Sequence, residues 1–316
     1  MKKLVVAGGG VLGSQIGFQA AFKGLEVVFW LRHDDSIGRT KPKVDNLYKI
    51  YLGELEALKP LLGKKDASYP RGLIDDFAGL DEAKIEQLKE NVKRAYESVT
   101  YTTNLAEAVE NADFVIESVA EIPDVKIDFY SKMADLLPEK TIIATNSSTL
   151  LSSSFAQYTG RPEKYLSMHF ANHIWRNNLA EVMGHSETGK EAFEAIVNLS
   201  HEIGMIPLRV NKEQPGYLLN SLLVPLLSSA QALLANEVSD YETIDLAWKL
   251  GTGAPYGPFQ ILDVVGLETA YNIASMRAAQ EKDENGIQHR IVAMLKKYIE
   301  AGKTGVNAGE GFYKYK

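Results

Sequence analysis

Six residues near the start, Gly8-Gly9-Gly10-Val11-Leu12-Gly13, constrain this chain more than any other feature. A short apolar run, residues 4–7, precedes them and reads as a buried strand. Helical spacing follows, with Val11, Ile16, Ala20 and Phe22 apolar. Glycines at 8, 10 and 13 therefore form a GxGxxG between an expected strand and an expected helix, the context in which that pattern signals a dinucleotide site. Gly8 permits the tight turn, Gly10 lets the backbone approach a pyrophosphate, and Gly13 lets helix and strand pack closely. The helix start at Val11 and Leu12 supplies amide donors and the positive end of the helix dipole. The alternative is a glycine-rich turn with no ligand.

The remaining pattern extends this start into a fold. Residues 26–31 read as a second strand. Residues 40–97 show helical periodicity and dense charge, far too long for a crossover of a few residues. They read as an inserted pair of helices joined by a loop containing Pro70 and Gly72. Strands are then expected at 99–102, 114–116, 141–145, 165–169, 179–183 and 206–210, with helices at 125–137 and 191–203. From Pro215 onward only helical patterns remain, at 217–235, 240–250, 258–279 and 285–300. Strands alternating with helices imply a parallel sheet. The expected class is α/β: a Rossmann-type doubly wound sheet with an inserted helical pair, residues 1–211, followed by an all-helical C-terminal domain, residues 212–316.

Composition narrows the partners. A chain of 316 residues buries a full core without disulfide or metal. The absence of cysteine excludes disulfides, thiolate catalysis and zinc–thiolate sites, and suits a reducing compartment. No metal site is expected. A net charge of −7 argues against a nucleic-acid surface. No apolar run approaches the ~20 residues that span a bilayer. The basic and then apolar opening resembles a secretory leader, but Gly8-Gly9-Gly10 cuts the run short. A cytoplasmic protein without membrane or nucleic-acid partners is expected.

Cofactor choice turns on one position. An acid normally ends the second strand of such a domain and binds the ribose hydroxyl. Leu31 stands there, followed by Arg32 and His33. An apolar residue followed by two potential cations suits a 2′-phosphate, so the reading is NAD(P) with a lean to NADP. Against it, Asp34 or Asp35 bends back to the ribose, or Arg32 is simply solvated.

Oxidation of a hydroxyl by such a cofactor needs a base and donors for the developing charge. Among six histidines, His169 ends a short strand beyond the first core, and Glu181 follows twelve residues later. If their strands neighbour each other, the carboxylate fixes the imidazole tautomer and raises its basicity. Spacing alone leaves open a packed polar histidine. Ser148 follows a strand at the carboxyl edge of the sheet, where α/β ligands bind; it also suits a cap before Leu150. Asn220 sits in an apolar helix, where an unbonded amide is costly; interhelix bonding is the rival account. Glu117 reads as a cap for the next segment.

These residues resemble the L-3-hydroxyacyl-CoA dehydrogenases, including their 3-hydroxybutyryl-CoA dehydrogenase and lambda-crystallin-like relatives. The resemblance runs through residues 8–13, 117–126, 146–150, 169–172, 181–182, 214–225, 250–268 and 311–313. It implies that His169 is the general base, Glu181 its orienting partner, and Ser148 and Asn220 the donors to the substrate oxygen. It implies cofactor contacts for Glu121, Lys126 and Asn172 on the nicotinamide-ribose half. It also implies an acyl-CoA substrate, an insertion that helps cover it, and a homodimer formed by the helical domain.

The chain departs from the family in places. After His169 the family has an apolar, proline-rich loop, expected to face the substrate; here stand His173, Trp175, Arg176, Asn177 and Asn178. Val306-Asn307-Ala308 replace a basic turn, and Ser221 replaces an arginine. Two alternatives follow: a dehydrogenase of a polar 3-hydroxy acid without CoA, such as a sugar acid or carnitine-like compound, or a cofactor-binding structural protein without turnover. For CoA itself, Lys41, Lys43, Lys64, Lys65 and Arg71 are the candidate cations, with ordinary solvated side chains as the alternative.

Overall fold

A computed structural model describes residues 1–64 and 67–315. The chain divides into two compact units, residues 1–218 and 219–316.

The first unit is built on an eight-stranded sheet. Its strands are β1 (Lys3–Ala7), β2 (Glu26–Trp30), β3 (Thr100–Thr102), β4 (Phe114–Glu117), β5 (Ile142–Thr145), β6 (Tyr165–Phe170), β7 (Leu179–Met183) and β8 (Ile206–Val210), in the order β3-β2-β1-β4-β5-β6-β7-β8. β1 and β4 are covered on both faces, so their residues are apolar without alternation: Leu4, Val5, Val6 and Ala7 are fully buried. All neighbours are parallel except β6 and β7, which pair antiparallel with His169 opposite Glu181. The expected doubly wound, mostly parallel sheet is present, with this one antiparallel pair within it. The loop from 171 to 178 is too short for a parallel crossover and returns the chain as a hairpin.

One face carries α1 (Val11–Phe22), α2 (Asp34–Glu56), α3 (Glu82–Ser98) and α6 (Lys190–Glu202); the other carries α4 (Leu105–Val109) and α5 (Pro123–Ala134). The inserted pair is α2 and α3. Its first helix starts directly after β2, earlier than position 40, with Asp34 and Asp35 in the first turn, where acids favour the dipole. Asp81 caps α3 by accepting from Lys84 N–H at 2.8 Å. The five-residue α4 was not expected; so short a helix shows no period.

Strand order reverses between β1 and β4. Beyond their carboxyl ends the two departing chains separate and leave a crevice, the usual ligand position of such sheets. Gly8 lies there with φ of +121°, and a Cβ on it would fall 2.3 Å from the Ser118 carbonyl oxygen.

Residues 212–218 pack with the first unit. Glu213 accepts from Ser153 N–H at 2.9 Å, and Leu218 N–H donates to Glu181 at 2.9 Å. The second unit contains α7 (Leu219–Ala235), α8 (Tyr241–Thr252), α9 (Pro258–Val265), α10 (Leu267–Ala278) and α11 (Ile287–Glu300) around Leu227, Phe259, Leu262, Leu295 and Phe312. The single helix expected over 258–279 is broken at Gly266, whose φ is +92°. Two buried acids lock this unit. Asp245 accepts from Phe259 N–H and Gln260 N–H at the start of α9, and Asp263 from the amides of Phe312 and Tyr313.

Candidate active site

The glycine turn closes toward the protein and opens toward the crevice. A Cβ on Gly13 would fall 2.3 Å from the Gly8 carbonyl oxygen, whereas one on Gly10 would meet nothing within 4 Å. Gly10 caps α1, whose first turn carries no acid, and Val11 is exposed beside it. The crevice is a cavity of about 810 Å³ bounded by this turn, Trp30, Ser118 and Phe129. That opening, with free helix-end amides, fits a dinucleotide pyrophosphate.

At the adenosine end no carboxylate follows β2. Leu31 is 2% exposed and belongs to the core. Arg32, His33, Arg39 and Lys43 border the cavity instead. Lys43 also donates to the Gly9 carbonyl at 3.1 Å, and the Thr40 hydroxyl reaches the same oxygen at 3.3 Å, so α2 braces the turn. Asp34 is engaged by the Thr103 hydroxyl at 3.4 Å.

The second cluster stands at the ends of β5, β6 and β7. The antiparallel register puts His169 and Glu181 side by side on one face. His169 Nδ1 lies 2.9 Å from Glu181 Oε2, and Nε2 lies 3.3 Å from Ser148 Oγ. A carboxylate at Nδ1 places the proton there and leaves Nε2 as the acceptor. The imidazole is 4% exposed. Tyr217 stacks on it, with ring centroids 4.5 Å apart, and donates its hydroxyl to the Ser147 carbonyl at 2.8 Å. Burial raises the pKa of that hydroxyl, which keeps it a donor.

Glu121 organises the turn that carries Ser148. One of its oxygens accepts from the amides of Ser148 at 3.1 Å and Thr149 at 3.0 Å, and from the Ser147 hydroxyl. Burial opposes ionisation, but the bonds from Ser147 and Thr149 outweigh it and hold the carboxyl below the usual range. The capping expected of Ser148 belongs to Ser147, whose Oγ accepts from Leu150 N–H at 3.2 Å. Ser148 Oγ is thereby left to face His169.

Lys126 is buried. Its ammonium pairs with both Glu117 oxygens at 2.8 Å and lies 3.4 Å from Glu121. Glu117 is also bonded by Tyr130, Thr145 and the amide of Val119. The capping expected of Glu117 is thus one of several bonds in a buried network that the sequence did not announce. Asn146, likewise not singled out, accepts from Phe170 N–H at 3.3 Å and joins the ends of β5 and β6.

The loop after His169 bonds most of its polar side chains within the protein. Trp175 is buried and donates through Nε1 to Glu54 at 3.0 Å, and Arg176 Nε donates to the same carboxylate at 2.6 Å. Asn177 donates to the Asn172 carbonyl, and Asn178 to that of Gly204. These polar residues satisfy the protein itself, because a non-proline loop leaves groups that need partners. Asn172, His173, Arg176 and Asn177 are exposed, and the amides of His173 and Ile174 bond Gln15 on α1.

Asn220 stands in the first turn of α7, in the second unit, rather than in the helix interior. Of the candidate CoA cations, Lys41 lies over the Tyr101 ring, Lys43 braces Gly9, Lys64 and Arg71 are exposed, and Lys65 lies outside the described residues. Among the described residues no cluster of histidine and acidic side chains could hold a metal ion, and no helix is long and apolar enough to cross a membrane.

Comparison with known proteins agrees with this geometry. A family model described as 3-hydroxyacyl-CoA dehydrogenase, NAD binding domain, matches residues 69–214, and one described as 3-hydroxyacyl-CoA dehydrogenase, C-terminal domain, matches residues 216–315. The mitochondrial hydroxyacyl-coenzyme A dehydrogenase of Homo sapiens is 32% identical over 316 residues, covering 100% of this chain and 92% of that one. The 3-hydroxybutyryl-CoA dehydrogenase of Clostridioides difficile is 34% identical over 217 residues, 69% of this chain and 75% of that one. A solved diketoreductase, described for substrate-directed dual catalysis of dicarbonyl compounds, superposes with a TM-score of 0.83 at 43% identity, covering 100% of this chain and 99% of that one. From its opening turn to its last aromatic residues, this chain belongs to the 3-hydroxyacyl-CoA dehydrogenase family, oxidoreductases that act on a secondary alcohol with NAD.

Proposed function

We propose that the chain interconverts a 3-hydroxyacyl-CoA and its 3-oxo form, with His169 and Glu181 as the acid–base pair. The contact between His169 Nδ1 and Glu181, with Nε2 turned to Ser148, carries this reading. A nicotinamide cofactor held at the glycine turn would supply the hydride chemistry at the substrate's C3. His169 Nε2 takes the hydroxyl proton during oxidation and returns it during reduction. Glu181 keeps the ring in one tautomer and stabilises its protonated form. Ser148 and Asn220 donate to the substrate oxygen as charge grows on it. The turn through Gly8, Gly10, Val11, Leu12 and Gly13 would hold the pyrophosphate, and Glu121, Lys126 and Asn172 the nicotinamide-ribose half.

Two finer readings have their own support. Arg32, His33, Arg39 and Lys43 beside the buried Leu31 favour a 2′-phosphate, hence NADP(H), by charge-assisted bonding. The likeness to a diketoreductase described for dicarbonyl compounds supports a dicarbonyl substrate, with free 3-oxo acids as the alternative to the CoA ester. One experiment sorts these readings. Acetoacetyl-CoA and free 3-oxo acids are reduced with NADH and with NADPH, and kcat/KM is compared across the four pairs. The acyl-CoA reading expects the CoA ester to win with either cofactor. Turnover of free acids alone rejects it, and a large advantage for NADH rejects the 2′-phosphate. A homodimer through the helical unit completes the proposal.

A further inference from the structure

Two consecutive residues touch three members of the candidate site. The Tyr217 ring lies flat on the His169 imidazole, its plane tilted by only 6°. Its hydroxyl holds the carbonyl of Ser147, the residue before Ser148. The next amide, Leu218 N–H, donates to Glu181 Oε1, the oxygen that His169 does not use. Tyr217 adopts φ of +53° and is 2% exposed. A left-handed backbone costs a bulky residue, and such strain persists where the surroundings enforce it. A ring that merely fills a core needs neither this backbone nor a parallel stack.

We infer that Tyr217 is a positioning residue for the proton transfer: its ring sets the plane of His169 and stabilises the protonated imidazole, and its hydroxyl sets the height of Ser148. The inference rests on His169 being the base. The face of an aromatic ring is electron-rich and attracts a cation laid upon it. When Nε2 takes the substrate proton, the imidazolium gains from Glu181 at its edge and from Tyr217 at its face. The other charged groups at this corner are Glu121, bonded to the 147–150 turn, and the Glu117–Lys126 pair; both side chains remain when residue 217 is substituted.

The test compares Tyr217→Leu, Tyr217→Phe and His169→Gln in the oxidation direction across pH. Deprotonated His169 is the active form, so kcat/KM rises with pH along an acid limb. Tyr217→Leu is expected to lower kcat on the order of tenfold. It should also move that limb down by about half a unit to one unit, because the imidazolium loses its aromatic face. Cofactor affinity, read by nicotinamide fluorescence, stays at the wild-type value. Tyr217→Phe keeps the limb in place, and its kcat falls between those of Tyr217→Leu and the wild type because the bond to the Ser147 carbonyl is lost. If Tyr217→Leu shows no cooperative melt, trifluorophenylalanine at 217 replaces it. Its shape matches phenylalanine, its face is electron-poor, and the same downward movement is expected relative to Tyr217→Phe. An unmoved limb in the ring-altered variant, with His169→Gln inactive, overturns the inference alone. Near-normal kcat in His169→Gln overturns the base reading beneath it.

Discussion

A neutral histidine can offer either ring nitrogen, and catalysis needs one of them free. At His169 the choice is made by Glu181, fully buried and shared between Nδ1 and Leu218 N–H. Glu181→Gln keeps the size of that side chain and removes its charge. The imidazolium then loses its counter-ion, and kcat should fall on the order of 10²–10⁴ with little change in KM. A kcat near wild type in steady-state assays would show that the carboxylate is dispensable. Glu121 makes a prediction about pH. Its carboxyl titrates below the ordinary range when folded, since the bonds from Ser147 and Thr149 exceed the effect of burial. A lowered folded pKa stabilises the ionised fold above the unfolded pKa, and that stability disappears as pH falls through the folded value. Amides 148–150 should therefore keep their exchange protection on acidification until Glu121 protonates, then lose it. Glu121→Gln should remove this dependence; equal acid profiles in both proteins would dismiss Glu121 as the anchor.

At the scale of elements, the loop from 171 to 178 is held from outside. Glu54 on α2 accepts from both Trp175 Nε1 and Arg176 Nε, and the Gly72 amide donates to the Trp175 carbonyl at 2.9 Å. Glu54→Ala leaves the buried Trp175 Nε1 without its acceptor and should cost on the order of 2 kcal/mol, read as a lower melting temperature. Because the same loop leads away from His169, the acyl substrate's KM should rise more than kcat falls. An unchanged KM would mean that the loop does not border the substrate. This clamp also marks where sequence reading stops. Gly8 to Gly13 and the pair His169 and Glu181 were legible because each depends on local order: a strand–turn–helix, or two short strands in a hairpin. Glu54 with Trp175 was not, because pairing across the fold leaves no period in either segment; nor was Glu117 with Lys126, which joins a strand end to the next helix at a spacing that matches neither period. The antiparallel direction of β7 lies in the short loop before it, since its own five-residue run reads the same either way. Trp175 and Arg176 likewise find their partner, Glu54, more than a hundred positions earlier in the chain.

At the scale of the whole molecule, the second unit leaves apolar surface bare. Met276 is 71% exposed, with Ile273 three residues earlier on the same face of α10, and Val264 and Val265 exposed at the end of α9. Beneath them lies a small apolar cleft lined by Val224, Leu227, Val265, Ile273 and Ile291. Isolated exposed apolar residues need no explanation, but a contiguous row beside a cleft marks a contact surface. The net charge of −7 weighs against stable self-association only where charge, rather than apolar area, meets at the contact. A stable pair buries roughly 1,600 Å² in total, and a helical face of this kind supplies an apolar centre for it. The wild-type chain should therefore sediment as a dimer at micromolar concentration. Met276→Glu places a charge in that centre and should shift the species to monomer. The charge sits in the second unit, so the fluorescence-measured affinity for the cofactor, which the first unit's glycine turn would hold, should be unchanged. A wild-type monomer, or a variant that sediments as the wild type does, would remove this face from the assembly.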